Sequence, residues 1–348
     1  MLKCPVLVRQ RELSLRPYFE LDVNIWPDRT DASASSDMVE PTLSEFIEKL
    51  QKVELVNVLK ETHTDPVFRA RLADCIKLVD DRRAFSTSEK SYIPVKRRHY
   101  AQFAAIVTAM KQYGLVHATP TNSPVYVEFG AGRGYLSHFL SDTCENLDII
   151  LLERRAYRFK AERSMRERAG SILRLQVDIK DVVLHGLERL NSREFIGFGK
   201  HLCGAATDYA LRACFSPPSA NFGKERLAKG FAVATCCHHL CSWDSYINRP
   251  FLVQMGFDLN EFHLLTKISS WATLSDAHGG VYRNQTGHSN CELALRPVEK
   301  LMLGRRAKLI LDEGRVRWLL SLGLKAKLLT YVDASVSPEN ILLLVHET

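Results

Sequence analysis

Three strings in this chain carry residue types and spacings suited to chemistry. They are Glu128-Phe129-Gly130-Ala131-Gly132-Arg133-Gly134-Tyr135, Gly199-Lys200-His201-Leu202-Cys203-Gly204 and Cys236-Cys237-His238-His239-Leu240-Cys241. Glycines at every second position let a backbone turn sharply and approach a ligand with no Cβ in the way. A histidine near its ordinary pKa can take a proton at neutral pH, whereas a lysine must first have its pKa lowered by burial or neighbours. The candidate catalytic groups are therefore His238 and His201, ranked first, with Lys200, His239, Cys237 and His99 behind them. Each has a plainer account: a histidine can be a buried side chain that fixes a loop, and Cys236 and Cys237 can be small apolar residues closing a strand. No metal ligands are assigned, because Cys237, His238, His239 and Cys241 crowd one short turn, which rarely supplies tetrahedral geometry alone.

The glycine string narrows the ligand. A dinucleotide fingerprint wants a glycine or alanine at position 135, and Tyr135 is too large for the close helix-to-strand contact made there. Glu128 ahead of the turn repels a pyrophosphate and attracts a cation, which favours a sulfonium nucleoside, S-adenosylmethionine. The expected donor-binding residues are Glu128, Gly130, Ala131, Gly132 and Gly134, joined by Glu153 and Asp178 at the ends of the next two β-rich runs. An ionised Glu153 offers two oxygens to a pair of ribose hydroxyls, and Asp178 one to an adenine amine. Capping of the next helix is the competing account for both acids.

Positioning these strings requires an ordered scaffold, and the rest of the chain describes one. From Val125 on, β-rich runs (VYVEFG, DIILLE, LRLQVDI, EFIGFGK, GFAVATCC) alternate with helix-period or irregular segments, the signature of a parallel sheet covered on both faces. The last two runs, LKAKLLTYV and ILLLVHE, are joined by a loop too short for a parallel crossover, so they pair antiparallel or lie apart. The fold class is thus α/β: a Rossmann-like, doubly wound sheet ending in a reversed strand, the layout of S-adenosylmethionine-dependent methyltransferases. Upstream, residues 1–41 read as an irregular segment and linker, and 42–114 as a helical segment packing on the catalytic domain. Leu43, Phe46, Ile47, Leu50, Val53, Val56 and Leu59 recur at helical spacing, a second helix is expected over Pro66 to Leu78, and a third runs from after Pro94 to Gly114. The catalytic domain takes 115–348, with an insertion at about 242–304.

Composition sets the outer limits. The 348 residues are 46% hydrophobic and 25% charged, which excludes disordered and coiled-coil classes. No run reaches the ~18–20 apolar residues of a spanning helix, so a soluble chain with no membrane partner is expected. Nine cysteines without a regular framework point to free thiols and a cytoplasmic or nuclear location. The net charge of +7 favours an anionic partner. Arg154, Arg155, Arg158, Lys160, Arg163, Arg166 and Arg168 face only Glu162 and Glu167 over one predicted helix; Lys96 to Arg98 and Lys300, Arg305, Arg306 and Lys308 form two further basic clusters. A solvated helix face explains the first cluster equally well.

The strings VEFGAGRGYLSHFL, GKHLCGAATD and CCHHLCSW, with SSWA at Ser269 to Ala272, DEGR at Asp312 to Arg315 and SPENILLL at Ser337 to Leu344, make the chain resemble one family from about His99 onward. It is similar to the eukaryotic tRNA 2′-O-methyltransferases that modify the fourth nucleotide of the acceptor stem. The resemblance implies S-adenosylmethionine as donor, tRNA as partner and a role in tRNA processing. It also implies amino-terminal zinc modules, whose ligands are not recognisable here: only Cys4 precedes Cys75. Two other readings stand beside it, a methyltransferase for a protein or small molecule and a catalytically silent RNA-binding scaffold.

Overall fold

The computed structural model describes residues 42–56, 60–84, 97–116, 123–157, 165, 170–190, 193–216, 228–273 and 295–346. The predicted segment 1–41, the SDAHGGVYRNQTGHSN stretch and most of the arginine-rich run after Arg155 lie outside these residues.

Seven strands form one sheet: β1 (Val125–Phe129), β2 (Asp148–Glu153), β3 (Ser171–Gln176), β4 (Phe195–Cys203), β5 (Ala228–Cys236), β6 (Lys325–Thr330) and β7 (Ile341–His346). Their order is β3-β2-β1-β4-β5-β7-β6. β1 to β5 pair in parallel, while β7 runs antiparallel to both β5 and β6, so the expected reversed strand lies inside the sheet and not at its edge. The hydrophobic runs are continuous because both faces are covered. Tyr126, Ile149, Leu151, Phe198, Ala232 and Leu344 join one core; Val127, Ile150, Leu152, Phe231, Val233 and Leu343 join the other.

The helices divide by the core they cover. α2 (Pro66–Ala84), α3 (Arg97–Gln112) and α4 (Tyr135–Thr143) close the first face, and α5 (Ala205–Phe215) with the carboxyl half of α8 (Pro297–Ser321) closes the second. α1 (Leu43–Lys52) belongs elsewhere: Phe46, Ile47 and Leu50 pack with Phe251, Phe262 and Leu303 from α6 (Arg249–Gln254), α7 (Leu259–Ser269) and α8. The described part of the predicted insertion, 242–273 and 295–304, is therefore helical and packs together with α1, which comes from before the sheet.

Some boundaries differ from the spacing. The pattern predicts α1 continuing to Leu59, but it stops at Lys52 and Val56 is 66% exposed. Thr42 and Glu45 make a capping box at its start; at its end the Arg306 guanidinium collects the carbonyls of Leu50, Gln51 and Val53. A tertiary donor thus satisfies the orphan acceptors and ends the helix there. The segment behind it runs along the sheet edge, where Lys60 and His63 donate to Leu328 and Thr330 of β6 and cover an edge left open by β7.

Candidate active site

The turn after β1 is built by backbone conformation. Gly130, Gly132 and Gly134 all lie in the left-handed region (φ 61°, 53° and 77°), which residues with a Cβ rarely adopt. A Cβ at Gly132 would meet nothing within 4 Å, so the turn borders open space of the kind a bound nucleoside needs. The Glu153 carboxylate accepts from Gly132 N and Arg155 N, both at 2.9 Å, and Arg174 Nη1 donates to Gly132 O at 2.9 Å. Glu153 therefore holds the turn and keeps further lone pairs for a ligand. Glu128 is buried and accepts from the backbone N (3.2 Å) and hydroxyl of Ser137 in α4. Burial pushes its carboxyl up to about 7 against those two bonds. A cation placed nearby would restore the carboxylate. Asp178 accepts from Lys180 N at 3.2 Å, capping a single 3₁₀ turn, with Arg154 Nη1 3.9 Å away. Its competing account, the cap, is thus visible in the structure.

Beside this turn, β4 ends under α3. The strands are register neighbours, and a Cβ on Gly199 would stand 2.8 Å from Phe129 O, so Lys200 follows a point where the backbones touch. A bulge between Lys200 and Leu202 puts His201 at φ 63° and re-aims its neighbours. Lys200 turns inward, 7% exposed, with Nζ 2.9 Å from His99 Nδ1 and 4.5 Å from the Phe103 ring centroid. Desolvation, then the Arg98 charge, lowers its pKa to about 8, opposed by Cys236 and Glu128. His201 is exposed, its ring edge-on to His99 at 6.3 Å; desolvation by its neighbours and the charges of Lys200 and His99 depress its pKa. Lys200, His99 and His201 thus come together.

The third string divides. Cys237 takes φ 48° and donates its backbone N–H to Glu339 Oε1 at 3.3 Å; Glu339 in turn pairs with Lys308. Its thiol is held down at about 6, chiefly by the neighbouring Cys236 thiol. His239 is exposed on the 3₁₀ turn His238–Leu240. His238 is fully buried, with Nε2 3.0 Å from Asp312 Oδ1, an electrostatic contact without good hydrogen-bond alignment. Burial lowers the His238 pKa against the pull of Asp312. For Asp312 burial works upward, but His238 and Arg315 outweigh it and hold the carboxyl below its ordinary range.

Sequence reasoning gave no role to the group that organises this turn. Arg315 bonds Asp208 through Nη2 (2.7 Å) and Nε (3.1 Å), and Asp312 through Nη1 (2.8 Å). Thr235 donates to the other Asp312 oxygen at 2.8 Å, and Cys241 Sγ lies 3.2 Å from Arg315 Nη2. All are buried. The available signal was charge at helical spacing inside an apolar run, Ile310-Leu311-Asp312-Glu313-Gly314-Arg315-Val316. Of the third basic cluster, Lys308 and Arg306 serve these internal contacts, leaving Lys300 and Arg305 toward the surface.

A parallel sheet carrying one inserted antiparallel strand, with a triple left-handed glycine turn and an acid at the end of β2, defines a Rossmann-like methyltransferase. Residues 101–346 match the family model described as methyltransferase TRM13, and the chain belongs to that family. A relative from Vanderwaltozyma polyspora, named tRNA:m(4)X modification enzyme TRM13, is 29% identical over 99% of this chain and 84% of its own length. The human homolog of the same name is 32% identical over 63% of this chain and 59% of its own. The enzyme from Eremothecium gossypii is 31% identical over 73% and 63%. The family implies S-adenosylmethionine as methyl donor, and the open side of Gly132 with the acids Glu128 and Glu153 fits it. Among the described residues no helix is long and apolar enough to cross a membrane.

Proposed function

We propose that this methyltransferase modifies the ribose 2′-hydroxyl of the fourth nucleotide in the acceptor stem of tRNA, in the cytoplasm or nucleus. The relatives' printed names supply the substrate and the position. The observation that carries the chemistry is the buried Lys200 beside His99 at the edge of the donor turn.

Bound donor supplies an electrophilic methyl on a sulfonium, so the protein's main task is alignment and removal of one proton. Glu153 and the glycine turn hold the nucleoside; Asp178 stands at the next strand end for its base. Neutral Lys200 Nζ would take the O–H proton of the ribose hydroxyl as that oxygen received the methyl group that the bound donor would supply. His99 Nδ1 fixes the amine and accepts from the ammonium that results. His201, exposed on the bulge, contacts the acceptor strand, as does His239. His238 is assigned a positioning role, since its ring is sealed against Asp312. Exposed Arg97, Arg98, Arg154 and Arg155 bind phosphates, the main source of affinity for a duplex read by shape.

Purified chain, labelled donor and unmodified tRNA test this directly. Nucleoside analysis after digestion should find a 2′-O-methyl group at the fourth position. Activity on small molecules or protein with none on tRNA overturns the acceptor; no calorimetric donor binding overturns the enzyme. Gly132→Arg is the control, because it fills the hollow from a backbone at φ 53°.

A further inference from the structure

Three thiols converge where β4 and β5 end. Cys203 and Cys236 are register partners across the two parallel strands, with sulfurs 3.6 Å apart. The left-handed backbone of Cys237 adds the third, so that all three sulfur atoms lie within 4.8 Å of one another. Zinc–thiolate bonds of about 2.3 Å at tetrahedral angles place ligand sulfurs about 3.8 Å apart, close to what is found here. Nothing in the methyl transfer uses these groups, since no covalent enzyme intermediate is needed.

We propose that Cys203, Cys236 and Cys237 bind one thiophilic divalent cation of the zinc class, with a fourth position left to solvent beside the exposed Cys203. This grouping is not the one adjacency in sequence suggests. Cys241 is drawn under Arg315 and His238 toward Asp312, while Cys203 arrives from a different strand. It is also separate from the amino-terminal zinc modules that the resemblance implies.

The scaffold favours metal over disulfide. Cys203, Cys236 and Cys237 are free thiols, and the Cys203 and Cys236 sulfurs stand 3.6 Å apart, well beyond the ~2.05 Å of a disulfide bond. The loops that carry the ligands are also locked before any ion arrives. Gly204 N donates to Cys236 O at 3.1 Å, and a Cβ on Gly204 would stand 2.4 Å from the Leu240 carbonyl carbon. Glu339 holds Cys237 N from the other side. A preorganised second layer of this kind orients ligands and raises affinity. The cation then acts as a clamp across the two strand ends that bear Lys200 and His239.

The test uses the full chain, purified under nitrogen with reductant. Elemental analysis after zinc loading should give one zinc per chain, and cobalt(II) loading should give the intense thiolate-to-cobalt charge-transfer absorption. Cys203→Ser and Cys237→Ser should each lose both signals while keeping the wild-type circular dichroism spectrum; buried Cys236 is left in place. Cys4→Ser, Cys75→Ser, Cys144→Ser and Cys291→Ser should retain them. The proposal is overturned if reduced wild type shows no cobalt charge-transfer band, if metal survives in Cys203→Ser, or if it leaves with Cys291→Ser instead. It also fails if mass spectrometry of the nitrogen-purified chain finds Cys203 joined to Cys236 or Cys237. Donor binding and tRNA methylation are measured on the same samples, so failure here is distinguishable from failure of the methyltransferase reading.

Discussion

The turn after β1, on one side, and the bulge of β4 with the turn after β5, on the other, solve one geometric problem by opposite means. At the first, left-handed backbone is supplied by Gly130, Gly132 and Gly134, which adopt it without steric cost. At the others His201 and Cys237 sit at φ 63° and 48° with their side chains intact, an arrangement costing of order 1–2 kcal/mol each. The first turn leaves its backbone open at Gly132, where an added Cβ would meet nothing within 4 Å. The second pair needs side chains aimed inward and outward at the same place, and glycine would discard them. Strain of this kind persists only where the surroundings over-determine it. Here the Asp208–Arg315–Asp312–His238 group, the Glu339 anchor and the contact of Gly204 with Leu240 do so.

The largest effect is expected at Arg315. Replacing it with methionine leaves Asp208 and Asp312 buried without their cation, and urea denaturation should show a loss of about 3–5 kcal/mol. A loss below ~1 kcal/mol would mean the group does not support the strained turns. Next is Lys200→Met, which should lower kcat about 10²–10⁴-fold with donor affinity unchanged in calorimetry. Lys200 faces His99 and Arg98 from α3, Glu128 from β1 and Cys236 from β5. Its folded pKa is depressed to about 8, so it carries a proton below that pH and can accept one above it. Wild-type kcat should climb as pH rises toward and through 8, and Lys200→Met should flatten that limb; an unchanged profile removes Lys200 as the base.

Gly204→Ala comes third. Its φ of 53° and the Leu240 backbone 2.4 Å from the added Cβ predict about 1–3 kcal/mol of destabilisation, read from the denaturation midpoint. The smallest effect separates the two kinds of turn most cleanly. His201→Gly should equal or exceed wild type in stability by up to ~1 kcal/mol, and should exceed His201→Ala, since only glycine relieves the left-handed φ. Equal stability of the two variants would show that the bulge carries no strain.

Much of the sheet was legible because its strands are apolar runs of strand length between helix-period segments. The short loop between Val332 and Ile341 left the last two runs either to pair antiparallel or to lie apart, and β6 and β7 pair antiparallel. Helix ends were less legible: α1 stops where Arg306, far along the chain, takes its carbonyls. The glycine turn could be read because glycine spacing is itself the backbone requirement. Of the catalytic candidates, Lys200, His99 and His201 lie together, whereas His238 points into the protein. Cys203 and Arg315 received no role, since nothing local marks a partner that arrives from another strand or helix.

By itself the amino-acid order determined the alternation of elements, the reversed final strand, the glycine turn and the family these residues resemble. Period and glycine placement are local properties, expressed wherever the chain goes. Which of the adjacent histidines is buried, which thiols meet and whether Lys200 loses its water were decided only by the folded structure. Those outcomes depend on Asp312, Cys203 and His99, residues brought into contact by sheet order and helix packing, and burial and pairing energies act only once contact exists.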